Sequence, residues 1–379
     1  MEQDLQESAL AVYLHIPFCL SKCGYCSFFS EAYNSAKIQN YITDLKREIK
    51  LYQSLFPVTN TADTIYFGGG SPSLLPADEI SEICGSFGYC ADAEISLEIN
   101  PIQITPAYLT SLSKTPVNRL SLGLQSRLDG ELDFLERKHR DQDTASRIQL
   151  LRDFGYDNFS LDLIYGLPGS NLEDLQRNLE GYLELAPRHI STYLLSLDES
   201  SLWQRSNSDK ARAVQAVDED FLADSYALIS KRLTEAGYLH YEISNFAHPG
   251  YESRHNLHYW QSDDYLGLGA SATGFLEGVR YNNPADLAEY ARNLDEGELR
   301  PDRELADNLK MDYIIMGLRT AKGIDRQKSI QALGVDLWQE KAETLARLEA
   351  LGLIIRDEER LALCPEAYFI SNAVIGELI

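Results

Sequence analysis

The stretch HIPFCLSKCGYCSF, residues 15–28, holds three cysteines, Cys19, Cys23 and Cys26. It overlaps the end of the strand-like run VYLHIP, so the cysteines belong to the loop after a strand, where barrel folds place their chemistry. Structural zinc takes four protein ligands, commonly as two Cys-x2-Cys pairs, and the sequence has no second pair at suitable spacing. Three thiolates instead suit a [4Fe-4S] cubane whose fourth iron stays open to another ligand. Zinc binding and unrelated packing are the alternatives.

The charge and hydropathy of the whole chain argue against nucleic-acid binding, secretion and membrane insertion. Its 379 residues include 58 acidic and 34 basic side chains, a net charge of -24, which disfavours nucleic acid as a partner. The acidic start MEQDLQESAL excludes a secretory signal, and no run of about 18 apolar residues predicts a membrane-spanning helix. We therefore expect a cytoplasmic protein with reduced thiols, in which Cys84, Cys90 and Cys364 simply pack.

A strand-like run followed by a turn and a helix-like stretch recurs six times. The runs are rich in β-branched and aromatic residues and cover residues 12–17, 63–69, 94–100, 119–126, 158–166 and 189–197. Units of about 30 residues predict parallel strands joined by right-handed crossovers. Six units predict an α/β protein with a partial TIM-type (β/α)6 barrel over residues 1–237. Composition predicts disorder only at the chain ends and at residues 200–210.

Beyond residue 237 the pattern changes. Residues 238–300 are expected to form a connecting segment that opens with a strand at 238–247, and residues 301–379 a smaller C-terminal α+β domain. That domain resembles a winged helix, with helices at 304–319, 326–334 and 338–352 and a hairpin at 353–363. Its third helix is short of basic residues, so we expect no contact with nucleic acid.

The spacing Cys-x3-Cys-x2-Cys, with Tyr25 between the last two cysteines, resembles the signature of the radical S-adenosylmethionine (SAM) superfamily. The resemblance implies a [4Fe-4S] cluster on Cys19, Cys23 and Cys26, whose open iron binds the amino and carboxylate groups of SAM. It also implies a barrel of the radical SAM type.

Other strand ends carry residues that such a cofactor needs. The glycines of GGGSP, residues 68–72, would let the backbone approach SAM, although a plain turn also explains them. Glu98, inside a strand, needs a cationic partner, either the SAM amino group or a lysine or arginine. Gln125 and Asp162 should face the same mouth, and Arg137 could reach it or form a surface salt bridge.

Taken together, six segments resemble, in order, the oxygen-independent coproporphyrinogen III oxidase family: HIPFCLSKCGYCSF, YFGGGSPS, SLEINP, LSLGLQS, LERKHR and LDLIYGLPG. The resemblance implies SAM-binding positions at Tyr13, Tyr25, Gly69, Gly70, Ser71, Glu98, Gln125, Arg137 and Asp162, with Ser71 replacing the usual threonine. Oxidases of the family carry a further cysteine two positions after the third cluster ligand. Phe28 stands there in this chain.

The segment HNLHYW, residues 255–260, is similar to the His-Asn-x-x-Tyr-Trp signature of the second group in that family, the HemW haem chaperones. Phe18 and Ser27 depart from the Trp and Asp of this group. The resemblance implies a haem site, and the chemistry of the side chains suggests His255 as the axial ligand, with His258 as a second possibility, and flat surface from Tyr259 and Trp260. A packed loop held by its own histidine and asparagine is the alternative.

The resemblance implies one of two functions. The favoured one is a carrier that binds haem as cargo and passes it to acceptor haem proteins, at the membrane or in solution. The alternative is oxidative decarboxylation of coproporphyrinogen III, for which the sequence shows no distinct basic cluster to bind the propionates. A radical SAM enzyme with an unrelated substrate is a third, weaker interpretation. The expected electron donor is a flavodoxin or ferredoxin, and no catalytic residue is predicted.

Overall fold

Parallel strands alternate with helices through the first half of the chain. The computed structural model describes residues 10–55, 61–299, 302–303 and 306–379. The stretch considered as a secretory signal and the predicted disorder at the amino end therefore lie outside the described residues, apart from Leu10.

The strands of the described residues are, in chain order, β1 (Leu10–Ile16), β2 (Phe18–Cys19), β3 (Glu31–Ala32), β4 (Ala62–Gly69), β5 (Tyr89–Ile99), β6 (Arg119–Gln125), β7 (Phe159–Tyr165), β8 (His189–Leu194), β9 (Leu239–Glu242), β10 (Asn245–Ala247), β11 (Tyr265–Leu268), β12 (Thr273–Leu276), β13 (Val279–Asn282), β14 (Asp302–Arg303), β15 (Ile324–Asp325), β16 (Ile354–Arg356) and β17 (Arg360–Leu363).

The helices of the same residues are α1 (Ser35–Leu55), α2 (Ala77–Ser86), α3 (Pro106–Leu112), α4 (Asp129–Phe134), α5 (Asp141–Asp153), α6 (Leu172–Glu184), α7 (Leu202–Arg205), α8 (Asp209–Gln215), α9 (Glu219–Glu235), α10 (Arg254–Gln261), α11 (Leu287–Asp295), α12 (Ala306–Gly317), α13 (Arg326–Leu333), α14 (Leu337–Glu340), α15 (Ala342–Ala350) and α16 (Ser371–Gly376). Short 3-10 helices lie at Pro72–Leu74, Pro101–Gln103 and Pro365–Ala367. Within the described part of the chain, no helix is long and apolar enough to cross a bilayer.

One sheet of twelve described strands organises the molecule, in the order β14-β13-β12-β11-β1-β4-β5-β6-β7-β8-β10-β9. Its centre is a run of seven neighbouring parallel strands among the described residues: β11, and the six predicted strands β1 and β4 to β8. Since β14 and β9 stand at the two ends of this order, the described sheet stays open. The predicted α/β class and the partial (β/α)6 barrel are confirmed.

Alternation along the strands gives the sheet an apolar face and a polar face. In β1, Val12, Leu14 and Ile16 are fully buried and belong to the same core cluster as residues of α1. Tyr13 alternates with them and therefore points to the other face. The strand register sets it beside Tyr66 of β4. Polar side chains from successive strands thus share one face of the sheet.

Two local predictions were wrong. Residues 238–247 are not one strand but the antiparallel pair β9 and β10, because the Glu242 side chain accepts a hydrogen bond from the Ser244 amide (3.1 Å) and closes a turn there. Residues 200–210 are not disordered either. They contain α7 and the start of α8, whose ends are capped by Ser201 and Ser208, and Trp203 is buried.

The carboxyl-terminal part has the predicted three-helix and hairpin pattern, with one difference. The hairpin is β16 and β17, and β15 pairs with β17 to complete a three-stranded sheet, as in a winged helix. The predicted third helix is divided into α14 and α15 at Lys341, where the backbone leaves helical geometry.

The segment boundaries 1–237, 238–300 and 301–379 remain a prediction. Strands from the middle segment extend the main sheet at both edges, since β10 pairs with β8 and β11 pairs with β1. Helix α10, which carries HNLHYW, connects these two edges along the chain.

Candidate functional site

The three cysteines lie on one loop that follows β1. Cys19 ends β2, and Cys23 and Cys26 lie in the turn that leads to β3, where Cys26 N donates to Cys23 O (3.2 Å). Pairing of β2 with β3 closes the loop at its base, and Lys22 Nζ donates to Phe28 O (2.9 Å) across it. All three thiols are therefore held on one short stretch of backbone.

The thiols themselves are free and half-buried. Burial raises the pKa of Cys19 and Cys26, and the other thiols of the loop raise it further. In the described residues no three His, Cys, Asp or Glu side chains surround a single metal ion. A cubane separates its thiolates by its own width, so the arrangement fits a cluster better than zinc.

Gly24 anchors the loop to the barrel, and its partners were missed by sequence reasoning. Its amide donates to Glu136 Oε2 (3.0 Å), and its carbonyl accepts from Trp203 N (2.9 Å). A Cβ at Gly24 would lie 1.9 Å from the Trp203 indole. A side chain at position 24 would therefore displace the loop. No local signal marks Trp203, which lies in the segment predicted to be disordered.

The glycine loop after β4 packs directly on the cysteine loop. Ser71 N donates to Phe18 O (2.8 Å), and Ser71 Oγ lies 4.0 Å from Cys19 Sγ. A Cβ at Gly70 would come within 2.7 Å of Phe18 O, and Gly69 has a φ of +109°. Only glycine permits this contact and this conformation, so these residues do more than form a plain turn.

Two carboxylates lie half-buried on the inner face of the sheet. Glu98 accepts from Tyr66 Oη (3.0 Å) and from Gly69 N (3.1 Å), and neither of these partners is a cation. Burial and the nearby Asp162 raise the pKa of Glu98 to about 7. Burial also raises the pKa of Asp162 to about 6, although hydrogen bonds from Ser191 and the charge of Arg137 oppose this. A ligand cation between them would stabilise both charged forms.

Gln125 and Arg137 present buried polar atoms without a partner. Among the described side chains, Gln125 Oε1 and Arg137 Nε are buried and make no hydrogen bond. Gln125 also has a φ of +70°, which is uncommon for a residue other than glycine. Arg137 Nη2 donates to Gly123 O (2.5 Å), and Nη1 lies 3.7 Å from Cys23 Sγ. These free atoms, the Glu98 carboxylate, whose two hydrogen-bond donors are both uncharged, and the glycine cradle fit SAM, which carries an ammonium group and a carboxylate.

Tyr13 and Tyr25 lie on either side of this region. Tyr13 Oη is hydrogen-bonded to His15 Nδ1 (3.0 Å), and His15 Nε2 is bonded to Phe29 O (3.0 Å) in the cysteine loop. The Tyr25 ring meets the Trp203 ring edge to face at 5.8 Å. Sequence reasoning missed His15, although its position in HIPF next to the first cysteine was a usable signal.

HNLHYW is not a loop but most of helix α10, which Ser253 caps. His255 is fully buried, with Nδ1 bonded to Thr64 Oγ1 (2.8 Å) and Nε2 bonded to Tyr259 Oη (2.6 Å). Burial lowers its pKa to about 3, so the ring is neutral. Both ring nitrogens are therefore used within the protein in this arrangement.

His258 and Trp260 have different surroundings on the same helix. His258 bonds Asp63 Oδ2 (3.0 Å) through Nε2 and Asp263 Oδ2 (3.1 Å) through Nδ1. Burial lowers its pKa, but these two carboxylates outweigh that effect and raise the pKa to about 9. Among the described residues, Trp260 Nε1 is buried without a partner, and the Arg319 guanidinium lies 5.9 Å from its ring.

Stacked rings connect the motif helix to the inner face of the sheet. The Tyr66 ring lies 6.1 Å from that of Tyr13 and 5.0 Å from that of His255, to which it is nearly parallel. Thr64, the partner of His255, precedes Gly69 by five residues, which is about 16 Å along a strand. The motif helix therefore lies towards the amino ends of the parallel strands, opposite the cysteine loop.

Comparison with known proteins assigns the family. A family model described as the radical SAM superfamily matches residues 13–180, and one described as the HemN C-terminal domain matches residues 312–370. A haem chaperone HemW from Mycobacterium tuberculosis is 31% identical over 381 residues, which cover 97% of this chain and 94% of the relative. The chain belongs to the HemW family. A second HemW haem chaperone, from Escherichia coli, is 35% identical over 274 residues, 70% of each chain.

The solved structure of coproporphyrinogen III oxidase from Escherichia coli, a radical SAM enzyme, has the same fold. It matches with a TM-score of 0.82 at 24% identity and covers 99% of this chain and 91% of that chain. HemW membership confirms the predicted radical SAM superfamily and, with it, a [4Fe-4S] cluster and SAM as cofactors. The assignment of individual residues to the cluster, to SAM and to haem stays a prediction.

Proposed function

We propose that this chain is a haem chaperone, which binds haem and transfers it to acceptor haem proteins. The observation that carries the proposal is the 31% identity with a haem chaperone over 94% of the length of that relative. Phe28, in place of the additional cysteine of the oxidases, points the same way. Its side chain is 62% exposed beside the cysteine loop and offers no ligand.

We assign the cluster to Cys19, Cys23 and Cys26, and SAM to the adjoining mouth of the barrel. When bound there, the cluster would supply the chemistry of one-electron reduction to the SAM sulfonium, with the electron coming from the proposed donor. Arg137, 3.7 Å from Cys23 Sγ, offsets the negative charge of the thiolates. Glu98 and Asp162 would receive the SAM ammonium group, whose charge lowers their pKa values and keeps both ionised at neutral pH.

The remaining SAM contacts would orient the ligand. Gln125 Oε1 is an acceptor and Arg137 Nε a donor, and each gains a partner when SAM fills the mouth. Gly69, Gly70 and Ser71 let the ligand approach the backbone, while Tyr13 and Tyr25 border the mouth with their rings. These residues bind and exclude water, and none of them is assigned a proton transfer.

For haem, we propose that the motif helix borders the binding site. Tyr259 and Trp260 provide flat surface, and His255 and His258 are the candidate iron ligands. For His255 to bind the iron through Nε2, its hydrogen bond with the Tyr259 hydroxyl must break. For His258 to bind the iron, the ring must give up its hydrogen bond with Asp63 or with Asp263. A His255→Ala protein that binds haem with an unchanged absorption spectrum would remove His255 as the ligand.

The proposed partners follow from the same geometry. An electron donor such as a flavodoxin or ferredoxin would approach the cysteine loop, where Leu20 is 54% exposed. The acceptor is a haem protein at the membrane or in solution, and we place the exchange in the cytoplasm. The charge of -24 opposes binding to nucleic acid.

One anaerobic experiment tests the function. Protein with a reconstituted cluster is incubated with SAM, dithionite and coproporphyrinogen III, and in parallel is titrated with haem. Stoichiometric haem uptake without turnover supports the chaperone. Formation of protoporphyrinogen IX would instead establish the oxidase, the alternative interpretation of the sequence.

A further inference from the structure

A cavity of about 390 Å³ lies beside the motif helix and away from the cysteine loop. Its walls come from α10, from the sheet strands β11 to β13, and from α12 and α13. They include the side chains Tyr259, Tyr265, Phe275, Tyr313, Met316 and Ala332. The volume falls within the range of small-molecule sites, about 300–1,000 Å³, and far exceeds the packing voids of a core.

The lining selects a flat and largely apolar ligand. The rings of Tyr259 and Tyr265 meet edge to face at 4.5 Å, and Phe275 continues the row at 6.5 Å from Tyr265. Among the described lining residues two are charged, Arg280 and Asp312, and they form an ion pair with each other. An anion such as phosphate therefore meets no net charge there, whereas a broad aromatic ring system gains contact with several rings and a thioether.

Tyr259 joins this cavity to the HNLHYW segment. Its hydroxyl is fixed by His255, and His255 is fixed in turn by Thr64, so the ring has one defined orientation. These two hydrogen bonds therefore hold the Tyr259 ring in place on the wall of the cavity. This arrangement gives the motif a role without placing either histidine in the cavity, whose described lining includes neither.

We propose that the haem carried by this chain binds in this cavity, with its ring against Tyr259, Tyr265, Phe275 and Met316. The inference rests on the proposed chaperone function and adds the location of the cargo. Haem then occupies the amino ends of the strands while SAM occupies the carboxyl ends, and the two ligands do not compete for space. The propionates would extend out of the cavity towards solvent.

Haem titration of the full-length protein with its cluster tests the location. Ala332 lies on the exposed side of α13, so Ala332→Trp fills the cavity without entering the core. We expect haem affinity to fall about tenfold or more. Gln331→Trp adds the same ring to the neighbouring exposed position, which does not line the cavity, and should bind haem like the wild type.

A second variant, Phe275→Leu, keeps an apolar side chain on the opposite wall but removes its ring, and haem affinity should fall several-fold. Far-UV circular dichroism and iron content, unchanged in all three variants, exclude a folding defect. Wild-type affinity in Ala332→Trp and Phe275→Leu overturns the location and leaves the chaperone function intact. A wild-type chain that takes up no haem overturns the function, and the location with it.

Discussion

The two ends of the parallel strands use buried polar groups in opposite ways. At the carboxyl ends, Gln125 Oε1 and Arg137 Nε have no hydrogen-bond partner among the described residues, and Glu98 lies half-buried near Asp162. At the amino ends, His255 makes two hydrogen bonds and His258 lies between two carboxylates. Both regions carry polar motifs in the sequence, but they differ in which described groups are left unpaired: the candidate SAM contacts at the carboxyl ends, and Trp260 Nε1 and Asp63 Oδ1 rather than the histidines at the amino ends.

The energetic consequence differs accordingly. An unpaired buried polar group costs about 1–3 kcal/mol, and a fold keeps several of them together only where something else supplies the missing contacts. The unpaired groups at the carboxyl ends therefore support the proposed SAM site there, at some cost in stability. The hydrogen bonds of His255 and His258 at the amino end stabilise the position of α10, and the proposed ligand surface there is the neighbouring cavity.

The largest expected effect is at the cysteine loop. Cys23→Ser removes one of three ligands from a cluster that has no protein ligand in reserve, so iron and acid-labile sulfide should fall to background after anaerobic reconstitution. Cys364→Ser, a half-buried cysteine outside the loop, is the matched control and should keep the full cluster. A cluster that survives in Cys23→Ser would contradict the three-cysteine assignment.

Glu98→Gln should separate ligand binding from stability. Removal of the carboxylate should weaken SAM binding roughly tenfold to a hundredfold, since a charged contact is lost, as isothermal titration can measure. Without SAM the same change should stabilise the protein. The pKa of Glu98 rises from 4.5 to about 7 on folding. The ionised carboxylate therefore lowers the free energy of unfolding; this loss of stability is absent below pH 4.5, grows between pH 4.5 and 7, and is complete above pH 7.

The rise in the pKa of Glu98 on folding corresponds to a loss of stability of at most ~3 kcal/mol, and the coupling between Glu98 and Asp162 makes this loss smaller. Glu48→Gln is a matched control. Burial also raises the pKa of Glu48 to about 7, but Gly269 N, Tyr290 and Asn283 satisfy its carboxylate outside both sites. The Glu48→Gln variant should therefore bind SAM with the affinity of the wild type. Equal SAM affinity in Glu98→Gln and wild type would remove Glu98 from the site.

Sequence patterns indicate which residues meet at the carboxyl ends of the strands more directly than they indicate the contacts at the amino ends. Six parallel strands follow from local periodicity, and parallel strands bring their ends together, so the pattern alone places Glu98 and Asp162 at one mouth. The glycines at 69 and 70 were also readable, because tight backbone contacts exclude other residues there.

The partners of HNLHYW depend on contacts distant in sequence. His255 bonds Thr64 and His258 bonds Asp63, which lie 191 and 195 positions away. Neither Thr64 nor Asp63 carries a motif of its own, so the sequence could not show that these histidines also hold the helix in place, and their role as haem ligands stays a prediction. Trp203 is a similar case, because a polar surrounding segment concealed a buried ring packed on Gly24.

The smallest expected effect concerns His258 and depends on pH. Its pKa of about 9 in the folded protein lies above the ordinary value of 6.5, so its contacts with Asp63 and Asp263 stabilise the fold fully below pH 6.5 and are lost as the pH rises through 9. His258→Gln should therefore lower the free energy of unfolding by about 1 kcal/mol at pH 6. At pH 10 the variant and the wild type should unfold alike in chemical denaturation.

Gln261→Ala, at the exposed end of the same helix, should show no pH-dependent difference. A constant deficit for His258→Gln at both pH values would mean that the imidazole acts by packing, and α10 would then not be held by charge.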